Sequence, residues 1–555
     1  MGKILIIITV VILSFWTKII AQSSQTFVEG GNVFVPQTNY QRYVFPVFNV
    51  CCDTIDVYNE SELRHGLAEG RVIVLQNDIR IKQTVEIMTD AVIIGNGHKI
   101  VEKGVKLDNH GSYLWKVNGR EAFVRNDSLL VGLSNSGFYQ GEWIVSSSVD
   151  GVCRQLRLPE SLHDVVIKEE DNVFITYGQW FIRRTDKVKY AKDGVLEVDF
   201  IGGTAYRPDR SFRNYTPAPY FFFNNYSADG ICIKSGVIEW PNEWGNIRKC
   251  QLWYLFKISP KAKVVMKDIV INGGMDYAIN NAGELRMERC CLTNSVGGGI
   301  ISTGKVSISN CALYDIKRNG LLVKKMGMAD VSFCQFKRIA HYGSNDFAVS
   351  ADGETYVGNC QFEDTNYGAI RVGMVNAADS SDLYEYLIEN NNIYYTSDWI
   401  TKRQYFGLWD SGAIYISTNS KKTTIRYNRI QNVGGPGKNS AIFGDDGAYN
   451  MDIFCNEISG TQNYYDIDCR YVSPSSSRRI FPDGSGEMMA NTNNRIIGNV
   501  ISGYVRMEES KSPFVNDTGC QFRDNVIMGD RKRHGNVELK DQIFIRKSGY
   551  IDLTK

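Results

Sequence analysis

Aspartates, a tyrosine and an arginine stand at fixed distances from a dipeptide that keeps returning. A small residue followed by an aliphatic one recurs as Ala278-Ile279, Gly299-Ile300, Gly320-Leu321, Ala348-Val349, Ala369-Ile370, Ala413-Ile414 and Ala441-Ile442. Neighbouring side chains of a strand point to opposite sides. Residues one and three beyond the aliphatic are therefore predicted on an outer face, and these include Arg371, Tyr415, Phe443, Asp352 and Asp445. Asp446 follows at once, and Asp410 precedes the Ala413 strand in DSGAIYI. Two adjacent aspartates cannot face the same side of a strand, so Asp445 is assigned to the outer face and Asp446 to the turn. Carboxylates gathered in this way suit general acid and base work. Aromatic residues make up 12% of the chain, and Tyr394, Tyr395, Trp399, Tyr405, Trp409, Tyr464 and Tyr465 fall between the repeats. Aromatic faces beside carboxylates suit sugars. His341 and Arg371 are candidates to bind hydroxyls or a carboxylate, and Trp180 with Arg183 is a candidate roof for the same face.

A column of asparagines reveals the elements that position these groups. Aligning YNRIQN, CNEISG, GNVISG and DNVIMG superimposes Asn428, Asn456, Asn499 and Asn525, each two residues before an isoleucine. In the same register lie Asn391 before Ile393, and Cys360, Cys334, Cys311, Cys290 and Ile269 before Phe362, Phe336, Leu313, Leu292 and Ile271. Five residues ahead of each of these aliphatic or aromatic anchors runs a further apolar column from Met266 to Phe522, making ten coils. Units of this length bury their apolar faces by stacking on one another. The segments are short, rich in Val, Ile, Phe and Tyr and punctuated by Gly, Asn and Asp, which favours strands over helices. The fold class predicted is all-β, a right-handed parallel β-helix with an inserted β-rich subdomain. Buried asparagines stacked on successive rungs can bond amide to amide.

The termini and composition narrow the setting. Residues 1–22 have the form of a signal peptide, with Lys3, an apolar run from Ile4 to Phe15 and Ala21 near the cleavage point. Lys18 interrupts that run before it reaches the ~20 residues of a membrane span. A secreted or periplasmic protein without a membrane span is expected. With 62 basic and 61 acidic residues and no long basic run, nucleic acid is an unsuitable partner. Four of the thirteen cysteines fall in the interior column and are expected to pack as small apolar residues, and no clustered Cys/His set suggests a metal. The expected organisation is a cap and first coils over 23–107, the insertion over 108–225, the β-helix carrying the active face over 226–530, and a tail over 531–555. A short helix, Ser61 to Ala68, should cover the open end, since a bare solenoid end is an exposed sheet edge.

DSGAIYI, followed by TIRYNRIQNVGG and AIFGDDGAYN one coil later, resembles the right-handed parallel β-helix glycoside hydrolases, including the xylosidase, xylanase and fucosidase types of families 120 and 141. LRLPESL and ITYGQWFIRR resemble the β-subdomain that such enzymes carry between early coils, so the likeness spans most of residues 50 to 530. It implies a glycosidase without a cofactor whose acids, Asp410, Asp445 and Asp446, come from the DSGAIY and GDDG segments. Family members commonly read Gly-Ile-Tyr before the acid pair where this chain has Ala-Ile-Phe, so substrate contacts are expected to differ.

Glycoside hydrolysis sets two carboxyl groups roughly 5 Å apart for retention or 6.5 to 9.5 Å apart for inversion. Asp410 lies about seven residues of register from Asp445, over 20 Å at ~3.3 Å per residue, unless its loop folds back. Asp466 and Asp468 are therefore substitutes. The partner is a polysaccharide or oligosaccharide on this reading. A polysaccharide lyase is the alternative, with Lys324, Lys325 or Arg371 as base and calcium as a cofactor. A non-catalytic glycan-binding solenoid is a third reading.

Overall fold

The computed structural model describes residues 27–29, 32–34, 53–102, 254–274, 277–295, 297–316, 318–340, 346–373, 383–397, 411–417, 420–434, 439–445, 448–461, 493–502 and 521–527, together with isolated strands named below. The signal segment 1–22 lies outside them. Met1–Arg42 is one compact unit, in which Phe27–Glu29 pairs antiparallel with Asn32–Phe34, and Tyr43–Lys555 is the other.

The second unit is a parallel β-helix, with three rows of strands stacked rung on rung. One row pairs Met266 with Met287, Ile308, Val331, Val357, Ile388, Ile425, Ile453, Ile496 and Phe522 in turn. A second pairs Ile271 with Leu292, Leu313, Phe336, Phe362, Ile393, Ile430, Ile458, Ile501 and Ile527. Both are the columns read from the sequence. The third row, from Val85–Ile87 to Tyr504–Met507, sets Ile279, Ile300, Leu321, Val349, Ile370, Ile414, Ile442, Ile467 and Val505 over one another. From Met266 to Phe522, Ile271 to Ile501 and Ile279 to Val505 the residues of these rows join one continuous interior core, and most are wholly buried.

A single left-handed residue makes the corner between the first two rows. Asp268, Arg289, Asn310, Phe333, Asn359, Asn390, Tyr427, Cys455 and Asp524 all have φ between 51 and 58°, and Gly498 has 68°. Such a conformation costs a side-chain-bearing residue about 1–2 kcal/mol. The next residue offsets this by repairing the main chain of the rung before. Asn428 Oδ1 accepts from the Asn391 N–H at 3.0 Å, while its Nδ2 donates to the Ile388 carbonyl at 3.0 Å and to Asn456 Oδ1 at 3.0 Å. Asn456 and Asn499 repeat the pattern, and Asn494 does so at another corner by bridging the Met451 N–H and the Ala448 carbonyl. The cysteines are weaker versions: Cys311 Sγ accepts from the Cys290 N–H at 3.3 Å, and Cys334 Sγ donates to the Ile308 carbonyl at 3.5 Å. All four are buried free thiols.

At the entry, Glu60–Glu69 forms the expected helix. Asn59 caps its start by accepting from Glu62 N, and Gly70 ends it at φ 67°. Leu63 and Leu67 are buried against the first rung, and Gly66 lies so close to Ile55 and Ile73 that a methyl group would clash. The insertion begins later than residue 108. Tyr113–Val117 pairs with Val85–Ile87 and Tyr254–Ile258, and Glu121–Gly132 pairs with Ala91–Ile94 and Lys263–Asn272. The repeat is hidden in the sequence because this coil has extra residues between Arg125 and Leu129, which break the five-residue interval. The strands between Tyr139 and Asn224 form a separate antiparallel sheet of seven. Trp180 lies outside the described residues. At the far end Ile543–Ile545 extends the rung of Val526–Ile527 and turns back antiparallel to Ile551–Leu553.

Asn456→Ala removes both amide bridges of the central ladder at once. It is expected to lower stability by about 2–4 kcal/mol, read as the midpoint of urea unfolding, whereas Cys334→Ala is expected to cost about 1–2 kcal/mol as a small buried truncation.

Candidate functional site

The third row carries the face predicted from the sequence. Its register places Ser350, Arg371, Tyr415, Phe443 and Asp468 in one line across successive rungs, each about 4.8 Å from the next. A parallel line two residues further on holds Lys324, Asp352, Gly373, Ser417 and Asp445.

Tyr415 is the centre of an aromatic cluster. Its ring lies 5.6 Å from Phe347, 6.2 Å from Tyr367 and 5.2 Å, edge-on, from Phe443. Phe347 in turn meets Tyr367 edge-on at 5.2 Å. Gly368 makes room for this packing, because a methyl group there would stand 2.7 Å from the Phe347 ring. The cluster fixes Tyr415 so that its hydroxyl donates to Asp445 Oδ2 on the next rung. Asp445 is itself pinned by its main chain, with its N–H donating to the Ile416 carbonyl at 2.9 Å and its carbonyl accepting from Ala448 N at 3.1 Å.

Arg371 and Asp352 form a second pair. Arg371 donates through Nη1 to Asp352 Oδ1 and through Nε to Ser417 Oγ at 3.1 Å. Tyr386, from the neighbouring row, donates its hydroxyl to the Asp352 main-chain oxygen at 3.0 Å. Burial pushes the Tyr386 phenol well above its usual pKa, so it stays a donor.

The structure thus joins Tyr415 with Asp445 and Arg371 with Asp352, two pairs on one face. Asp352 and Asp445 stand three rungs apart, about 14 Å, too far to act on one bond. Asp468 stands in line with Phe443, one rung from it. Asp466, one residue before Ile467, falls in the row of Ala441 and is wholly buried, so it is not on this face. Asp410, Asp446, His341 and Trp409 lie outside the described residues. Lys324 is exposed on the rung next to Asp352. Among the described residues no group of three or more His, Cys, Asp or Glu is placed to hold a metal ion, and no helix is long and apolar enough to cross a membrane.

No family model matches the chain, and no curated protein matches it. Solved structures do resemble it. A glycoside hydrolase shares 10% identity over 88% of this chain and 92% of its own, with a TM-score of 0.37. A hyperthermoactive exopolygalacturonase from Thermotoga maritima shares 10% identity over 91% and 94%, at 0.30. A tailspike protein of a Pseudomonas phage shares 9% over 86% and 71%, at 0.22. The fold rests on the strand pairing above.

Sequence reasoning passed over Ser417, Tyr386 and one further pair of acids. Glu354 and Glu385 stand level on adjacent rungs, one residue before the paired Thr355 and Tyr386. Burial, and then the charge of Glu385, raise the Glu354 pKa, while Lys421 bonds Glu385 at 2.9 Å. A raised folded-state pKa favours the protonated form, so its stabilising contribution is present below the unfolded value and is lost as pH rises. Glu354→Gln is therefore expected to make the protein more stable than the parent at pH 7, with the gap closing below the ordinary value of 4.5. Thermal unfolding of both proteins across pH 4 to 8 checks this.

Proposed function

We propose that this chain is an exported glycoside hydrolase that cleaves a complex polysaccharide or its oligosaccharides by two-carboxylate acid–base chemistry. The observation that carries the reading is Asp445, held on the outer face by the hydroxyl of Tyr415, whose ring is packed against buried aromatic rings. Phe347, Tyr367 and Phe443 are buried and Tyr415 is partly exposed, so Tyr415 is the ring of this cluster that can meet the apolar face of a sugar while the sugar's hydroxyls meet the polar groups around it.

Asp468 is the second carboxylate on this reading. It lies one rung over and two residues back from Asp445, which places the two main chains about 8 Å apart. Carboxyl groups spaced as these main chains are would suit inversion, in which one carboxyl protonates the leaving oxygen and the other activates water on the opposite side of the ring. Asp445, already oriented by a phenol donor, serves as base, and Asp468 serves as acid. Asp446 and Asp410 remain candidates for the acid and belong in the same assay. Export rests on the form of residues 1–22.

The test is a panel of plant, host and microbial glycans incubated with the purified protein, with products followed by NMR. Asp445→Asn is expected to lower kcat by about 10²–10⁴, and Tyr415→Phe, which keeps the ring and loses the donor, by about tenfold to a hundredfold. The first-formed product should carry the inverted anomeric configuration. Full turnover by Asp445→Asn would overturn the assignment, and release of an unsaturated product absorbing in the ultraviolet would identify a lyase instead.

A further inference from the structure

Four arginines of this solenoid are used in one way. Arg289, Arg338 and Arg495 each grip an aspartate with Nε and Nη2, at 2.7 and 2.8 Å to Asp268, 2.6 and 2.7 Å to Asp315, and 2.7 and 2.6 Å to Asp452. Arg426 turns the same two nitrogens onto Glu389 at 2.8 and 2.7 Å. In each case the acid stands level with the arginine on the adjacent rung, so the planar edge of the guanidinium closes on it. These are staples between coils.

Arg371 departs from that pattern. The residues level with it are Ser350 and Tyr415, neither of them an acid. Its contacts are instead diagonal, with Nη1 to Asp352 two residues along one neighbouring rung and Nε to Ser417 two residues along the other. The Nε/Nη2 edge, which the staples close, is thus half open: Nε is held by a hydroxyl that is itself 2% exposed, and Nη2 has no protein partner among the described residues. The side chain is only 16% exposed, so its contacts hold the guanidinium in place while water solvates it poorly. Its charge is partly met by Asp352, and Lys324, exposed on the rung beyond Asp352, adds a positive charge two rungs from Arg371.

Resting on the hydrolase reading, we infer that Arg371, set by Asp352 and Ser417, is a specificity subsite for an oxyanion on the glycan, a carboxylate of an acidic sugar or a sulfate ester. Arg371 is level with Tyr415, and so two rungs, about 10 Å, from the rung of Asp445. The anion belongs to a sugar flanking the bond that is cut. The open Nη2 donates to one oxygen of that anion, and the group is read by position and charge together.

Binding to the full-length protein is measured by calorimetry with uronate-bearing oligosaccharides, their carboxyl-reduced counterparts and sulfated oligosaccharides, in parent, Asp445→Asn and Arg371→Gln proteins. Acidic oligosaccharides should bind parent and Asp445→Asn at least about tenfold more tightly than carboxyl-reduced ones, with affinity falling as salt rises. Arg371→Gln should erase most of that preference, and Ser417→Ala should narrow it if Arg371→Gln fails to fold. Preference for uronate over sulfate, or the reverse, identifies which oxyanion is read. Equal affinity for acidic and carboxyl-reduced oligosaccharides, or a preference that survives both Arg371→Gln and Ser417→Ala, overturns the inference. Because Asp445→Asn is tested for binding alone, selective binding without any turnover would sink the hydrolase reading and leave the subsite standing.

Discussion

Rung-over-rung register is the constraint on which the rest of this molecule depends, and the side-chain amide at the corner enforces it. A chain that turns sharply between two strands leaves an N–H and a carbonyl facing inward, and an unpaired buried polar group of that kind costs about 1–3 kcal/mol. Asn391, Asn428, Asn456, Asn499 and Asn525 each donate to a main-chain carbonyl of the rung before, and the Oδ1 of each accepts from an N–H of that rung. A slip of one residue would move every amide to the wrong side of the strand. The ladder therefore specifies which residue lies over which, while the Ile, Val and Leu rows supply the apolar burial.

Fixed register turns the outer face into a lattice with two spacings, one across rungs and one along the strand. Groups far apart in the chain become neighbours at set distances: Tyr415 and Asp445 are 30 residues apart yet hydrogen-bonded, and Arg371 and Ser417 are 46 apart. Orientation then comes from packing. Tyr415 is held against Asp445 because Phe347, Tyr367 and Phe443 surround its ring, with Gly368 leaving room beside Phe347 and Gly412 beside Phe443. A preorganised pair of this kind is what acid–base chemistry on a bound sugar requires.

The rows were legible in the sequence residue by residue, because a ladder needs one residue type, and asparagine before isoleucine is a conspicuous signal. The outward positions of Arg371, Tyr415 and Asp445 followed from strand alternation alone. The corners were not legible. Phe333 and Tyr427 take the same left-handed conformation as Asn310, and neither type announces it. One coil was missed because extra residues after Arg125 spoil the interval while leaving the strand pairing intact on either side. The burial of Asp466 was not legible either: it stands one residue before Ile467, the place Ala413 and Ala441 fill on earlier rungs, and composition gave no warning that an aspartate would go inside. Asp352 and Arg371 were placed on the face, but their link through Ser417 and Tyr386 depends on diagonal reach, which a linear alignment does not display.

Level and diagonal reach differ in what they leave behind. An acid level with an arginine sits one rung away, about 4.8 Å, and the guanidinium edge closes fully on it, which ties coils together and leaves that edge nothing to offer a ligand. An acid two residues along sits about 8 Å away by the same spacings, so only one end of the guanidinium reaches it and the edge stays open. The contrast between Arg495 with Asp452 and Arg371 with Asp352 is thus one of register, with the same two residue types in both. In a solenoid the regular positions build the scaffold, and recognition has room where regularity lapses. Arg371 lies at such a lapse, level with the tyrosine that holds Asp445.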